Sequence, residues 1–278
     1  MRHETGVTYL MVGDAYAIPL AVSIFSLRQW YAGPIAIVTE RSGDGRCVAE
    51  SIAKDRRAWP LEIAPFAAID AGATREAIYL YKTVMGNASP FRTTVLVDAD
   101  TLFVGSIDEL WPGVSEVVLT KRSNGISVNT KMRLRCKKWA IFDLRRAMRI
   151  MDRTYPYPAI NTGVMAWGCG TADFHREWSA LAAKNPVHSS DEMAAQLVYP
   201  DFNYRLLDYR YNGNVTEDWE KRNVRVWHGV RHQFWQRDRG AAVWMPAYRE
   251  AMNMNFGSIR SFKPNLIWVG RSVRGDFA

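Results

Sequence analysis

The chain is poor in several features that would place a protein quickly. Its 278 residues include three cysteines, Cys47, Cys136 and Cys169. They are odd in number and share no metal-ligand spacing. That argues against a thiolate metal site and fits a reducing compartment, with all three expected as small core fillers. No stretch approaches the roughly 20 consecutive apolar residues that span a bilayer. Residues 1–5 are polar, and the apolar run after them is broken by Gly13 and Asp14, so no secretory leader is read there. No G-x-G-x-x-G follows the first apolar segment, which removes the dinucleotide fingerprint, and no Walker loop occurs. Internal repeats and low-complexity tracts are absent. The expected place of work is the cytoplasm, with contact at the cytoplasmic face of a membrane left open.

Acids are the scarcer charge, with 28 Asp and Glu against 36 Lys and Arg and a formal net charge of +8. Such an excess suits an anionic partner: a phosphorylated small molecule, anionic lipid or nucleic acid. It is densest over residues 131–153, where nine basic residues face two acids. Ile141, Leu144, Met148 and Met151 lie there at helical spacing. The segment reads as a helix whose basic face is either solvated or a surface for an anionic acceptor or membrane lipid.

What is present is an alternating pattern. With 48% hydrophobic and 23% charged residues, the chain can bury a sizeable core. Residues 7–12, 34–39, 61–65 and 93–98 read as short buried strands. Helical patterns fall between them at 18–31, 47–57 and 74–86, the last with Thr74 as its cap. Strands separated by helices of ten or more residues imply parallel pairing with helices on both sheet faces. The second half is less regular. Residues 121–129 read as a polar loop, 163–167 as a strand, and 173–184 and 189–198 as helices.

The fourth strand ends unusually. Residues 95–104 read VLVDADTLFV, with Asp98 and Asp100 inside an apolar run. In an extended segment they would project to one side and Ala99 to the other. Two carboxylates side by side repel unless something positive lies between them. At the carboxyl edge of a parallel sheet, where open α/β sheets bind ligands, a hard divalent cation on a diphosphate would satisfy both. Solvated strand-end acids are the alternative.

The segment DADTLFVGSIDELW resembles the D-x-D region of the GT-A glycosyltransferases, above all family 8. Further likenesses follow in that family's chain order. VGDAYA (12–17) resembles its nucleotide-binding loop, Tyr81-Lys82 its R-L-K segment, and Ser89-Pro90-Phe91 the approach to the fourth strand. INTGVM (160–165) resembles its N-x-G strand, Ser190-Asp191-Glu192 its acidic helix start, and VWHG (226–229) its late histidine motif. The likeness spans roughly residues 7–235.

The resemblance implies a Rossmann-like GT-A fold, a mainly parallel sheet flanked by helices in one domain over 1–278. Residues 1–110 would form the nucleotide-sugar half and 111–278 the acceptor half, closing on a basic and aromatic tail. It implies a metal-dependent hexosyltransferase using a nucleotide sugar, UDP-linked for preference and retaining in stereochemistry. The acceptor would be a glycan, a lipid-linked saccharide or a protein, and no nucleic-acid partner is expected. Asp98, Asp100 and His228 would hold Mn²⁺ or Mg²⁺, with the imidazole favouring Mn²⁺. Val12, Gly13, Tyr16, Lys82, Ala99 and Arg231 would contact the donor, and Asp191, Asn161 and Glu192 would act at the sugar. Two departures stand out. The family's late H-x-x-G-x-x-K-P-W pattern is HGVRHQFW here, so Arg231 or His232 would replace its lysine and His232 competes as a metal ligand. Glu192 stands where the family commonly has Gln. A sugar nucleotidyltransferase is the rival enzyme, though its G-x-G-T-R/K-like loop is missing; a basic nucleic-acid- or membrane-binding protein is the rival outside enzymes.

Overall fold

The computed structural model describes residues 3–70, 73–122, 145, 148–150, 152, 157–184, 190–214 and 223–229. The chain opens with β1 (His3–Met11), α1 (Ala17–Arg28), β2 (Ile35–Thr39), α2 (Asp44–Ala53) and β3 (Leu61–Pro65). Then come α3 (Arg75–Thr83), the single turn α4 (Met85–Ala88), β4 (Phe91–Val97) and β5 (Thr101–Phe103). The second half contributes β6 (Val117–Lys121), β7 (Ile160–Trp167), α5 (Ala172–Ala183), α6 (Ser190–Val198), β8 (Tyr204–Leu207), β9 (Gly213–Asn214) and β10 (Val226–His228).

Seven strands form the main sheet in the order β3-β2-β1-β4-β7-β6-β8. The four strands expected from the first half pair in parallel throughout. The second half turns the chain around: β7 lies antiparallel to both β4 and β6. Strand alternation sorts the core into two layers. Val7, Tyr9, Ile37, Val95 and Val97 pack with α1 and α2, whereas Val38, Leu96, Met165 and Trp167 pack with α5 and α6. Helix α1 is buried almost all round, and Pro19 falls in its first turn, where an N–H has no helical partner to lose. Thr74 caps α3 as read from the sequence, its Oγ1 accepting from the Ala77 N–H at 3.3 Å.

Three expectations are corrected here. The polar loop read from residue 121 begins inside a strand, since Lys121 closes β6, and residues 123–129 lie outside the described residues. Cys47 and Cys169 are exposed rather than core fillers, and Cys136 lies outside the described residues. The Asp98-Ala99-Asp100 triplet is a tight turn between β4 and β5, not extended strand, and Ala99 does not point away from the ligand edge: it is buried there. Of the basic segment at 131–153, only Arg145, residues 148–150 and Asp152 are described, all helical. Among the described residues no helix is long and apolar enough to cross a membrane.

Candidate active site

Strands β1 and β4 end, and β7 begins, at one edge of the sheet. A cleft of about 470 Å³ opens there. Val12 and Tyr16 reach it from the loop after β1, Lys82 from α3, and Asp98, Ala99 and Asp100 from the turn after β4. Asn161 enters from β7, Asp191 and Glu192 from the first turn of α6, and His228 from β10. Ten of the residues singled out in the sequence therefore share one cavity, with Ile78, Tyr79 and Thr162 as further walls. Gly13 does not line it. That residue turns the loop at φ +65°, a conformation that favours glycine, and its N–H donates to Glu40 Oε1 at 3.3 Å. Arg231 and His232 lie outside the described residues.

The turn is held by its backbone. The Asp98 N–H donates to the Gly163 carbonyl at 2.8 Å, and the Gly229 N–H to the Asp100 carbonyl at 3.1 Å. Strand β10 pairs antiparallel with β5 so that His228 stands opposite Thr101, beside the two acids. His228 Nε2 lies 3.4 Å from Asp98 Oδ2 and 3.5 Å from Asp100 Oδ1. One ligand atom from each of the three lies within 4.8 Å of the others. Two hard carboxylate oxygens and one imidazole nitrogen, converging at that spacing on an open cleft, fit a divalent transition metal and leave room for further oxygen ligands.

A bulge shapes the β7 wall of the cleft. Adjacent Leu119 and Thr120 pair with Met165 and Asn161, so residues 162–164 of β7 stand out of register. Thr120 Oγ1 closes the gap, donating toward the Asn161 and Val164 carbonyls at 3.1 and 2.9 Å. The bulge aims Asn161 and Thr162 into the cleft. Asn161 Oδ1 accepts from the Gly163 N–H at 2.7 Å and from Asn212 Nδ2 at 3.0 Å, which fixes the amide.

The acids are apportioned among cations. Lys82 Nζ lies 2.6 Å from Asp98 Oδ1 and 3.6 Å from Asp191 Oδ2. Burial alone would lower the Lys82 pKa; the carboxylates of Asp98 and Asp191 outweigh it and raise it. Burial raises the Asp191 pKa, against the pull of Lys82 and of Thr162, whose Oγ1 donates to Asp191 Oδ2 at 2.7 Å. Glu192 is gripped by Arg122, with Nε to Oε1 at 2.7 Å and Nη2 to Oε2 at 2.9 Å. Sequence reading missed Arg122 because it falls in the stretch taken for loop. Every residue of α6 is buried, yet three of its first turn are polar. Buried charge at a helix start is the signal that marks this element as part of a site.

Burial would lower the His228 pKa, but Asp100 and Asp98 raise it to about 9. In the metal-free protein the imidazolium stabilises the fold fully below about pH 6.5, and that contribution fades as pH rises toward 9. Metal must displace this proton, so Mn²⁺ affinity should climb up to tenfold per pH unit below about pH 9 and then level off. Calorimetric titrations with Mn²⁺ at several pH values check this, and a His228→Ala variant should flatten the profile.

No protein-family model matches the chain, and no curated protein matches it. Solved structures share its fold. The galactosyltransferase LgtC, solved with donor and acceptor sugar analogues, superposes with a TM-score of 0.60 at 13% identity, over 90% of this chain and 96% of its own. Mouse xyloside xylosyltransferase 1 gives 0.51 at 12% identity, over 81% of this chain and 97% of its own. GlyE of Streptococcus pneumoniae TIGR4, a glycosyltransferase, gives 0.58 at 11% identity, over 98% of this chain and 64% of its own. The architecture is therefore the GT-A glycosyltransferase fold: a mostly parallel sheet flanked by helices, with its cleft at the carboxyl edge.

Proposed function

We propose that the protein is a metal-dependent glycosyltransferase moving a hexosyl unit from a nucleotide sugar, preferentially UDP-linked, to a saccharide-containing acceptor. One observation carries the reading: Asp98, Asp100 and His228 converge within 4.8 Å, in the same cleft as Lys82 and Asp191. Residues 1–110 supply the nucleotide side, with Val12 and Tyr16 at the base and ribose end on a loop that Gly13 turns. Residues 111–278 supply the acceptor side, and Asn161, Asp191 and His228 reach back from it into the donor cleft. Arg231 is assigned to the donor phosphates from the motif alone.

In the reaction the bond from the anomeric carbon to the β-phosphate oxygen breaks, a bond from an acceptor oxygen to that carbon forms, and the acceptor hydroxyl's proton passes to the departing diphosphate. When bound at Asp98, Asp100 and His228, Mn²⁺ or Mg²⁺ supplies Lewis-acid stabilisation of the departing diphosphate. Lys82, already charged and buried, adds a fixed cation on the same side. Asn161 and Glu192 orient sugar hydroxyls, and Asp191 faces the reacting carbon, as suits a retaining transfer. Four carboxylates line a cleft in a chain of net charge +8. That contrast suits a cation-loaded diphosphate better than a bare polyanion.

Incubation with UDP- and GDP-sugars, with and without Mn²⁺, tests the reading through nucleotide release. Release from a UDP-sugar that requires Mn²⁺ and rises with a saccharide acceptor is expected. Metal-indifferent release, or none from any sugar nucleotide, sinks it.

A further inference from the structure

We propose that the amino edge of the main sheet, around Trp30 and Trp59, is a docking surface for an anionic lipid bilayer. The inference stands apart from the donor reading above. Six tryptophans fall among the described residues, and these two alone are exposed, at 46% and 60%. Trp30 follows α1 by two residues and Trp59 precedes β3 by two, yet one side chain clasps both segments. The Arg28 guanidinium donates to the Tyr31 carbonyl at 3.1 Å on one side. On the other it donates to the Ala58 and Pro60 carbonyls at 2.8 and 2.6 Å. The segments bearing the two indoles are therefore braced against each other.

The chemistry around the two rings selects the partner. Residues 54–60 carry three basic side chains against one acid. That acid, Asp55, is taken up by Arg57 at 2.6 Å, which leaves Lys54 and Arg56, both exposed, with no ion pair among the described residues. The next acid along the chain, Glu62, lies inside β3. Trp59 spends its indole N–H internally, on the Ala53 carbonyl at 2.8 Å, so what its ring offers outward is hydrocarbon. Indoles beside unpaired cations settle at the headgroup level of a bilayer, the rings against the upper acyl chains and the cations on lipid phosphates. A protein partner fits less well. Two partly exposed rings fall far short of the roughly 800 Å² per partner that a stable interface buries. Strands β2 and β3 run parallel to β1, whose carboxyl end carries the cleft, so this surface lies at the opposite edge. Docking there leaves the cleft facing away from the lipid.

Vesicle sedimentation tests this, with the full chain and phosphatidylcholine vesicles made with and without phosphatidylglycerol. Wild type should bind the anionic vesicles at least about tenfold more tightly than the neutral ones, and high salt should erase that margin. The double change Trp30→Ala with Trp59→Ala should weaken anionic binding by about tenfold or more. Because Trp59 also closes the end of α2, a second variant keeps the test decisive if that one misfolds. Lys54→Glu with Arg56→Glu alters exposed side chains only and should abolish the preference for anionic lipid. Wild type indifferent to phosphatidylglycerol overturns the inference, as does anionic binding that neither variant changes. Self-association without vesicles, lost in the tryptophan variant, overturns it as well and gives the surface to a second copy of the chain.

Discussion

Asp100→Asn is expected to cut Mn²⁺-dependent nucleotide release by about 10²–10³-fold while leaving the protein folded. The amide keeps the shape of the side chain but removes a full negative charge from a site with two carboxylates and one imidazole. Folding should survive because the turn is closed by the Asp100 backbone carbonyl, which accepts from the Gly229 N–H at 3.1 Å, and not by the side chain. Asp98 is the poorer probe. Its carboxylate also neutralises Lys82, 92% buried, and removing it would strand that ammonium in the interior. A drop in Asp98→Asn would therefore mix metal loss with instability. Two measurements decide for Asp100→Asn: nucleotide release with and without Mn²⁺, and the rise in melting temperature on adding Mn²⁺. Wild type should show both effects and the variant neither. Undiminished, metal-stimulated turnover in the variant would mean that the carboxylate pair is not the metal site.

The acids could be found in the sequence because they break a local rule: charge inside an apolar strand is costly, so its presence asks for a reason. The four parallel strands were legible for the same kind of reason, since short β-branched runs between helical patterns leave few other topologies. Arg122 was not legible. It follows a strand whose hydrophobic run, Val117–Leu119, is too short to stand out, and its partner lies 70 positions away on α6. The bulge at residues 162–164 was hidden too, because register is a property of two strands and only one carries the N-T-G motif. The extended reading of Asp98-Ala99-Asp100 failed for a related cause. Gly229 and Gly163, remote in sequence, supply the donor and the acceptor that fold the triplet into a turn. Cys47 and Cys169 show the limit of composition. Cysteine is usually buried, but Cys47 lies on the outer face of α2 and Cys169 beyond the end of β7.

Gly163→Ala should weaken Mn²⁺ binding by about 10–100-fold and destabilise the protein by about 1–3 kcal/mol, although Gly163 is no candidate ligand. A Cβ at residue 163 would come within 2.8 Å of His228 Nε2 and closer still to Cε1 and Nδ1. Carbon atoms do not approach so closely, so either the strand or the ring must yield. Gly163 is held on both its backbone groups, its N–H donating to Asn161 Oδ1 at 2.7 Å and its carbonyl accepting from the Asp98 N–H at 2.8 Å, so the ring is the weaker party. Displaced, it leaves Asp98 and Asp100 without their third neighbour. The glycine of the N-T-G motif is thereby explained by the histidine of the V-W-H-G motif, a link no reading along the chain could make. A double-mutant cycle isolates it. In a His228→Ala background, where the ring is gone, Gly163→Ala should cost little stability in thermal melts. Equal destabilisation in both backgrounds would mean that the methyl group collides with something other than His228, and that the close approach of ring to strand is not what requires glycine there.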